Sequence, residues 1–213
     1  MAKPNLCYDR GKDHLLPSWS GTEVYLNAEH EKIWELTKPI EGWQLPGDSY
    51  KLYEMAYHAG DVILEIGTYA GKSAVIEILG SRANRRRKHT AWFGIDLDPV
   101  AIPRTQATLE QWNLTKYCTL FFGDTRGFFT KYPISPSMVF VDGDHRYEGV
   151  KQDIEVLAPI LARDVPVLFH DYGNPENKDG RYGVERACNE WEKTGQVKYF
   201  GSFGCSALFV KSC

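Results

Sequence analysis

The segment Val62-Ile63-Leu64-Glu65-Ile66-Gly67-Thr68-Tyr69-Ala70-Gly71-Lys72-Ser73 constrains this chain more than any other. An apolar run of the kind a central parallel strand needs passes directly into a turn bracketed by Gly67 and Gly71. Ala74, Val75, Ile78 and Leu79 then recur at helical spacing. A strand, a glycine turn and a helix in that order aim unpaired helix N–H groups at a spot the backbone can approach closely. Such a unit belongs to an α/β fold with a ligand pocket at the carboxyl edge of its sheet.

Spacing separates the pockets that this turn can build. A phosphate-binding loop needs four residues between its first glycine and Gly-Lys-Ser, whereas only Thr68, Tyr69 and Ala70 separate Gly67 from Gly71. The dinucleotide pattern Gly-x-Gly-x-x-Gly lacks its second glycine. An ordinary tight turn without a ligand is a further reading. Glu65-x-Gly67-x-x-x-Gly71 resembles the first motif of the class I S-adenosylmethionine-dependent methyltransferases. That resemblance implies a donor with a sulfonium and an amino-acid group but no phosphate, a cation that a carboxylate at Glu65 suits.

From residue 61 onward, apolar runs alternate with helical patterns. Strands are expected over residues 61–66, 91–96, 117–122, 137–142 and 166–170, with a terminal hairpin from 196–201 and 206–211. The expectation is a Rossmann-like α/β fold, a seven-stranded, mostly parallel sheet with helices on both faces and an antiparallel C-terminal hairpin. Between residues 147 and 161, Val150, Ile154, Leu157 and Leu161 share one helical face, and Pro159 should end that helix early. Residues 1–60 read as an N-terminal helical and aromatic extension of the same domain as 61–213. Helices are expected there over 28–37 and 48–59. Its Trp19, Trp34, Trp43, Tyr50, Tyr53 and Tyr57 would either pack on the sheet or cover the pocket as a lid.

Composition narrows the classes of partner. At 213 residues the chain can bury one sizeable core, and a net charge of −3 gives no sign of a nucleic-acid or membrane partner. Arg85-Arg86-Arg87-Lys88 reads as a solvated loop. Cys7, Cys118, Cys188, Cys205 and Cys213 are odd in number and show no CxxC or zinc spacing, which suits a reducing cytoplasm. The N-terminus lacks a signal-peptide run and no segment approaches membrane-spanning length, so a cytoplasmic location is expected.

Acidic residues stand at the predicted strand ends. Asp96 would emerge beside the glycine turn, where it can accept both hydroxyls of a ribose or cap the following helix. Asp124, before Thr125, would stand one strand further along, where an adenine amino group or a helix N-terminus could donate to it. Asp142 and the pair His170 and Asp171 would converge where the strand order reverses, provided that strands four and five neighbour strand one. Two carboxylates and an imidazole can hold a divalent cation, and such donors fit magnesium, manganese or iron better than a thiolate-seeking metal. Alternatively, Asp142 and Asp171 are turn formers and His170 is a hydrogen-bonded core histidine.

The resemblance extends over roughly residues 60–211. Val141-Asp142-Gly143-Asp144-His145-Arg146-Tyr147-Glu148 and Phe169-His170-Asp171-Tyr172 are similar to segments of the metal-dependent small-molecule O-methyltransferases of the macrocin and sugar type. It implies a metal at Asp142, His170 and Asp171, although the family commonly has an acidic residue where His170 stands. It places the donor against Glu65, Gly67, Thr68, Tyr69, Gly71 and Ser73 of the turn and against Asp96, Asp124, Thr125 and Asp142 of the later strand ends. The catalytic base maps to Asp144 in the sugar-modifying enzymes and to His145 in catechol-type relatives, and imidazole suits proton transfer near neutral pH. Arg181 and Tyr182, in the turn-rich loop after strand five, are the candidates for acceptor contact. The implied function is O-methylation of a small-molecule hydroxyl, in an enzyme of a fold that often forms homo-oligomers. The rival readings are a nucleotide-binding phosphotransferase that uses Gly71-Lys72-Ser73 and a non-catalytic metabolite-binding protein.

Overall fold

A computed structural model describes residues 28–84 and 90–212. Trp19, Cys7, Cys213 and the basic run 85–88 lie outside the described residues. Two helices, α1 (Ala28–Thr37) and α2 (Pro46–His58), precede β1 (Val62–Ile66). Then follow α3 (Lys72–Ala83), β2 (Ala91–Asp96), α4 (Ala101–Gln111), β3 (Cys118–Phe122), α5 (Thr125–Lys131) and β4 (Met138–Val141). The chain closes with α6 (Tyr147–Leu157), β5 (Pro166–Phe169), α7 (Val184–Lys193), β6 (Val197–Phe203) and β7 (Ser206–Lys211).

These strands form one seven-stranded sheet in the order β3-β2-β1-β4-β5-β7-β6, parallel from β3 to β5 and antiparallel at β7 and β6. The order reverses between β1 and β4, which is where open α/β sheets bind ligands. Strand β4 neighbours β1, but β5 is one strand removed, so His170 and Asp171 reach the centre across β4. The hairpin differs from its expected bounds: β6 continues to Phe203 through a register shift between Tyr199 and Gly201, leaving only Gly204 and Cys205 as its link. Helix α6 stops at Leu157, before Pro159.

Both faces are covered because side chains alternate along each strand. Ile63, Phe140, Leu168 and Leu208 face a core shared with α2, α3 and α4, where Leu52, Met55, Val75, Ile76 and Leu109 are buried. Leu64, Val139, Val141, Val167, Phe169 and Phe209 face the other core, with Phe128, Val150, Ile154, Leu157, Cys188 and Trp191. The expected extension is thus divided in its roles. Tyr53 joins the core, whereas Trp43 is 75% exposed and borders the cavity described below.

Glycine is required where backbones touch. Gly67 has φ +88°, and a Cβ there would lie 2.0 Å from the Asp142 carbonyl oxygen, so only glycine lets β1 and β4 end side by side. The same holds at the second docking point, where a Cβ on Gly47 would lie 2.4 Å from the Gly204 nitrogen. That approach seats α2 on the β6–β7 turn.

Candidate active site

A cavity of about 750 Å³ opens along the carboxyl edge of the sheet over β1, β2 and β4. Its wall includes Gly67, Thr68, Tyr69, Ser73, Asp96, Asp124, Thr125 and Asp142 from the expected donor-binding set. Glu65 and Gly71 are not part of that wall. Gly71 instead starts α3, holding a left-handed conformation at φ +80° that the helix entry requires.

Glu65 corrects the expectation of a carboxylate facing the donor cation. Its side chain is fully buried and accepts the Ser73 hydroxyl. Burial and the adjacent Glu77 carboxyl push its pKa well above the ordinary value, which favours the neutral acid. Glu77, also fully buried, accepts a hydrogen bond from Trp92 Nε1 at 2.7 Å, and burial raises its pKa from 4.5 to about 8. A carboxyl with a raised folded-state pKa stabilises the fold below its unfolded pKa and loses that contribution as the pH climbs through the folded value. Glu77→Gln keeps an acceptor for Trp92 and removes the titration. The variant should therefore gain on the wild type as pH rises from 4.5 to 8, by about 4 °C in Tm or more at the upper end. A variant-minus-wild-type difference that stays constant across this range would assign the titration elsewhere.

Asp96 performs a task beyond those expected of it. Its Oδ2 accepts the backbone N–H of Thr68 at 2.7 Å and of Tyr69 at 3.1 Å, and its Oδ1 accepts Asp98 N–H at 2.8 Å. The carboxylate thus shapes the glycine turn, and it lines the cavity with acceptor sites to spare. Asp124 caps α5 by accepting Gly127 N–H at 2.7 Å and also lines the cavity. Thr125 donates to Asp153 Oδ1 at 2.6 Å. Burial lifts the Asp153 pKa to about 6, and the residue was missed in sequence although a charge on the apolar face of α6 was a visible signal.

The opposite end of the cavity gathers Asp142, His145, His170 and Asp171. His170, 4% exposed, has Nδ1 3.0 Å from Asp142 Oδ1 and 3.4 Å from Asp171 Oδ2, while Nε2 lies 3.7 Å from Asp48 Oδ2. Burial disfavours its charged form, but these carboxylates outweigh that effect and push its pKa well up. Asp142 and Asp171 are held below the ordinary carboxylate range by the histidines, against the opposing effect of their own burial. Asp171 has φ +57°, a conformation that Asp tolerates better than most residues. His145 reaches the same carboxylates, with Nε2 3.1 Å from Asp142 Oδ1 and Nδ1 3.3 Å from Asp171 Oδ2. Burial works against its protonation, yet the two carboxylates raise its pKa.

The two candidate bases sit in different surroundings. Asp144 is clasped by Arg146 through Nε at 2.9 Å and Nη2 at 2.6 Å, and that guanidinium lowers its pKa. His145 instead faces Asp142 and Asp171 through its ring nitrogens and stands against the Tyr182 ring, centroids 4.8 Å apart. Tyr182 lines the cavity. Arg181 does not; it is exposed and turned to Glu176 at 2.8 Å and Asp179 at 2.9 Å. The loop itself is fastened rather than loose, because Asn177 Nδ2 donates to the carbonyls of Asp171, Tyr172 and Asn174 at 2.8, 3.2 and 3.0 Å.

Sequence reasoning also missed Asp48. It is fully buried, and its Oδ1 accepts Cys205 N–H, Ser206 N–H and Ser206 Oγ at 2.9, 2.9 and 2.6 Å. Its Oδ2 has a local role at the start of α2, where it accepts Leu45 N–H, but the partners of its Oδ1 are more than 150 residues away in sequence. The phosphate-loop reading loses support for a physical reason: the Ser73 hydroxyl, which such a loop would turn to its ligand, donates to Glu65.

Comparison with known proteins agrees with this architecture. A family model described as a methyltransferase domain matches residues 64–172, from within β1 to just past β5. Among solved structures, the chain is similar to the O-methyltransferase TomG from Streptomyces achromogenes, in complex with S-adenosylmethionine. The two share 12% identity over 92% of this chain and 93% of TomG, with a TM-score of 0.65. An O-methyltransferase from Bacillus cereus with bound S-adenosylhomocysteine shows 13% identity over 89% of this chain and 93% of its own, TM-score 0.65. The S-adenosylhomocysteine-bound methyltransferase PaMTH1 of Podospora anserina shows 14% identity over 88% and 89%, also at 0.65. With the matched domain spanning more than half of the sequence and the sheet order, glycine turn and cavity in place, the chain belongs to the class I S-adenosylmethionine-dependent methyltransferases.

Proposed function

We propose that this chain transfers the methyl group of S-adenosylmethionine to a hydroxyl oxygen of a small-molecule acceptor of sugar, natural-product or catechol type, assisted by a divalent cation. The observation that carries the reading is the convergence of Asp142, His170 and Asp171, beside His145, at one end of the cavity whose other end holds Asp96 and the glycine turn. One ligand atom from each of the three residues falls within 4.8 Å of the others. His170 Nδ1 faces both carboxylates, 3.0 Å from Asp142 Oδ1 and 3.4 Å from Asp171 Oδ2, so the three donors already point at one spot. The donor set of two carboxylates and an imidazole fits magnesium, manganese or iron. The O-methyltransferase activities of TomG and the Bacillus cereus protein support oxygen as the acceptor atom.

A cation held there would supply a Lewis acid that lowers the pKa of the acceptor hydroxyl. Asp142 and Asp171 would hold it by oxygen and His170 by nitrogen. His145 in its neutral form would take the hydroxyl proton, since Asp144 is committed to Arg146. Asp96 and Asp124 orient the adenosine, and the turn sets the donor's methyl carbon in line with the acceptor. Positioning of this kind contributes roughly 7–11 kcal/mol in favourable systems.

Calorimetric titration of the metal-stripped protein with S-adenosylhomocysteine, repeated with magnesium and with manganese, tests the reading. Micromolar donor affinity is expected. Asp96→Ala should weaken it by about 10-fold or more, since a charged acceptor is removed from both the ribose site and the turn. Absence of adenosyl-ligand binding under every condition would remove the basis for the activity.

A further inference from the structure

The cavity contains a cation that none of the described residues neutralises. Lys72 opens α3, and its side chain is 4% exposed yet lines the cavity. Its ammonium makes no ion pair or hydrogen bond among the described residues, and its contact is the Trp34 ring, with Nζ 4.6 Å from the centroid. The stem is fixed from the other side, because a Cβ on Gly42 would meet its Cδ at 3.1 Å. A lysine this buried ordinarily has a carboxylate partner.

Resting on the methyltransferase reading, we propose that Lys72 clamps the α-carboxylate of the donor's amino-acid tail. Charge balance within the cavity leads there. The other cationic side chains on its wall are already matched: Arg146 to Asp144, and His145 and His170 to Asp142 and Asp171. Lys72 alone among them has no anion in contact, and a ligand must bring one. Position selects which anion. The first helical bond of α3 runs from Val75 N–H to the Gly71 carbonyl, so the N–H groups before Val75 point out of the helix end where Lys72 stands. That end borders β1, whereas Asp96 and Asp124, the proposed adenosine contacts, stand at the ends of β2 and β3. A donor laid along the sheet edge with its adenosine there extends its tail toward Lys72. Burial holds the Lys72 pKa below its ordinary value, against the more distant pull of Asp48, and an arriving carboxylate would restore it.

The test compares S-adenosylhomocysteine with its descarboxy analogue, which keeps the amine and loses only the carboxylate, by calorimetry on the wild type and on Lys72→Met. Removing the carboxylate should weaken wild-type binding by about 10- to 100-fold, and in the variant the two ligands should bind within about threefold of each other. Equal wild-type affinity for the two ligands overturns the clamp, and this comparison needs no variant to fold. A variant that weakens both ligands alike, or leaves the contrast intact while raising the acceptor KM, also overturns it and gives Lys72 to packing or to the acceptor. Failure of the wild type to bind either ligand is a distinct result, which removes the methyltransferase reading itself.

Discussion

Asp142→Ala is expected to lower methyl transfer by about a thousandfold while changing S-adenosylhomocysteine affinity by only a few-fold. The residue supplies the oxygen nearest both histidines, 3.0 Å from His170 Nδ1 and 3.1 Å from His145 Nε2. Its loss removes one of three convergent donors and the carboxylate that orients the proposed base. Charge stabilisation of several kcal/mol at the reacting oxygen corresponds to about three powers of ten in rate. The adenosine half of the donor should be little affected, because Asp96, Asp124 and the turn belong to other strand ends. Steady-state kinetics beside donor and metal titrations check this. Donor affinity that collapses while metal still binds would move Asp142 from the acceptor side to the donor side.

Asp48→Ala should cost about 3–5 kcal/mol of stability, as expected when one member of a buried charged network is removed. Its Oδ1 gathers three donors from the β6–β7 turn, and its Oδ2 accepts Leu45 N–H at 2.6 Å at the start of α2. The alanine variant leaves all four donors without that acceptor in a region too close-packed to admit much water, as the touching Gly47 and Gly204 show. Asp48→Asn should cost less, since its amide oxygen can still accept from the turn. The same turn carries Cys205, whose Sγ lies 3.5 Å from Asp171 Oδ1, so loosening it should also disturb the proposed metal site. Urea unfolding measures the effect, and a loss below about 1 kcal/mol would show that the turn is held by packing alone.

Much of this was legible along the chain. The strands end within a residue or two of where alternation and turn residues placed them, and the strand–turn–helix unit at residues 62–73 stands at the sheet centre. The terminal hairpin was legible as well, although its bulge was not, because a register shift depends on the partner strand. Site residues at strand ends were also findable, since parallel strands deliver their carboxyl ends to one edge.

By itself the sequence determined the fold class, the strand–turn–helix unit and the set of polar strand ends, because spacing and periodicity are local properties of the backbone. Only the tertiary structure decided the surroundings of those groups. Glu65 was removed from the pocket by burial beside Glu77, Asp144 was occupied by Arg146 while His145 kept its approach to the carboxylates, and Arg181 turned outward to its own loop. Asp48 and Lys72 gained their importance from neighbours far away in sequence, and the charge state and partners of a side chain depend on such neighbours in space.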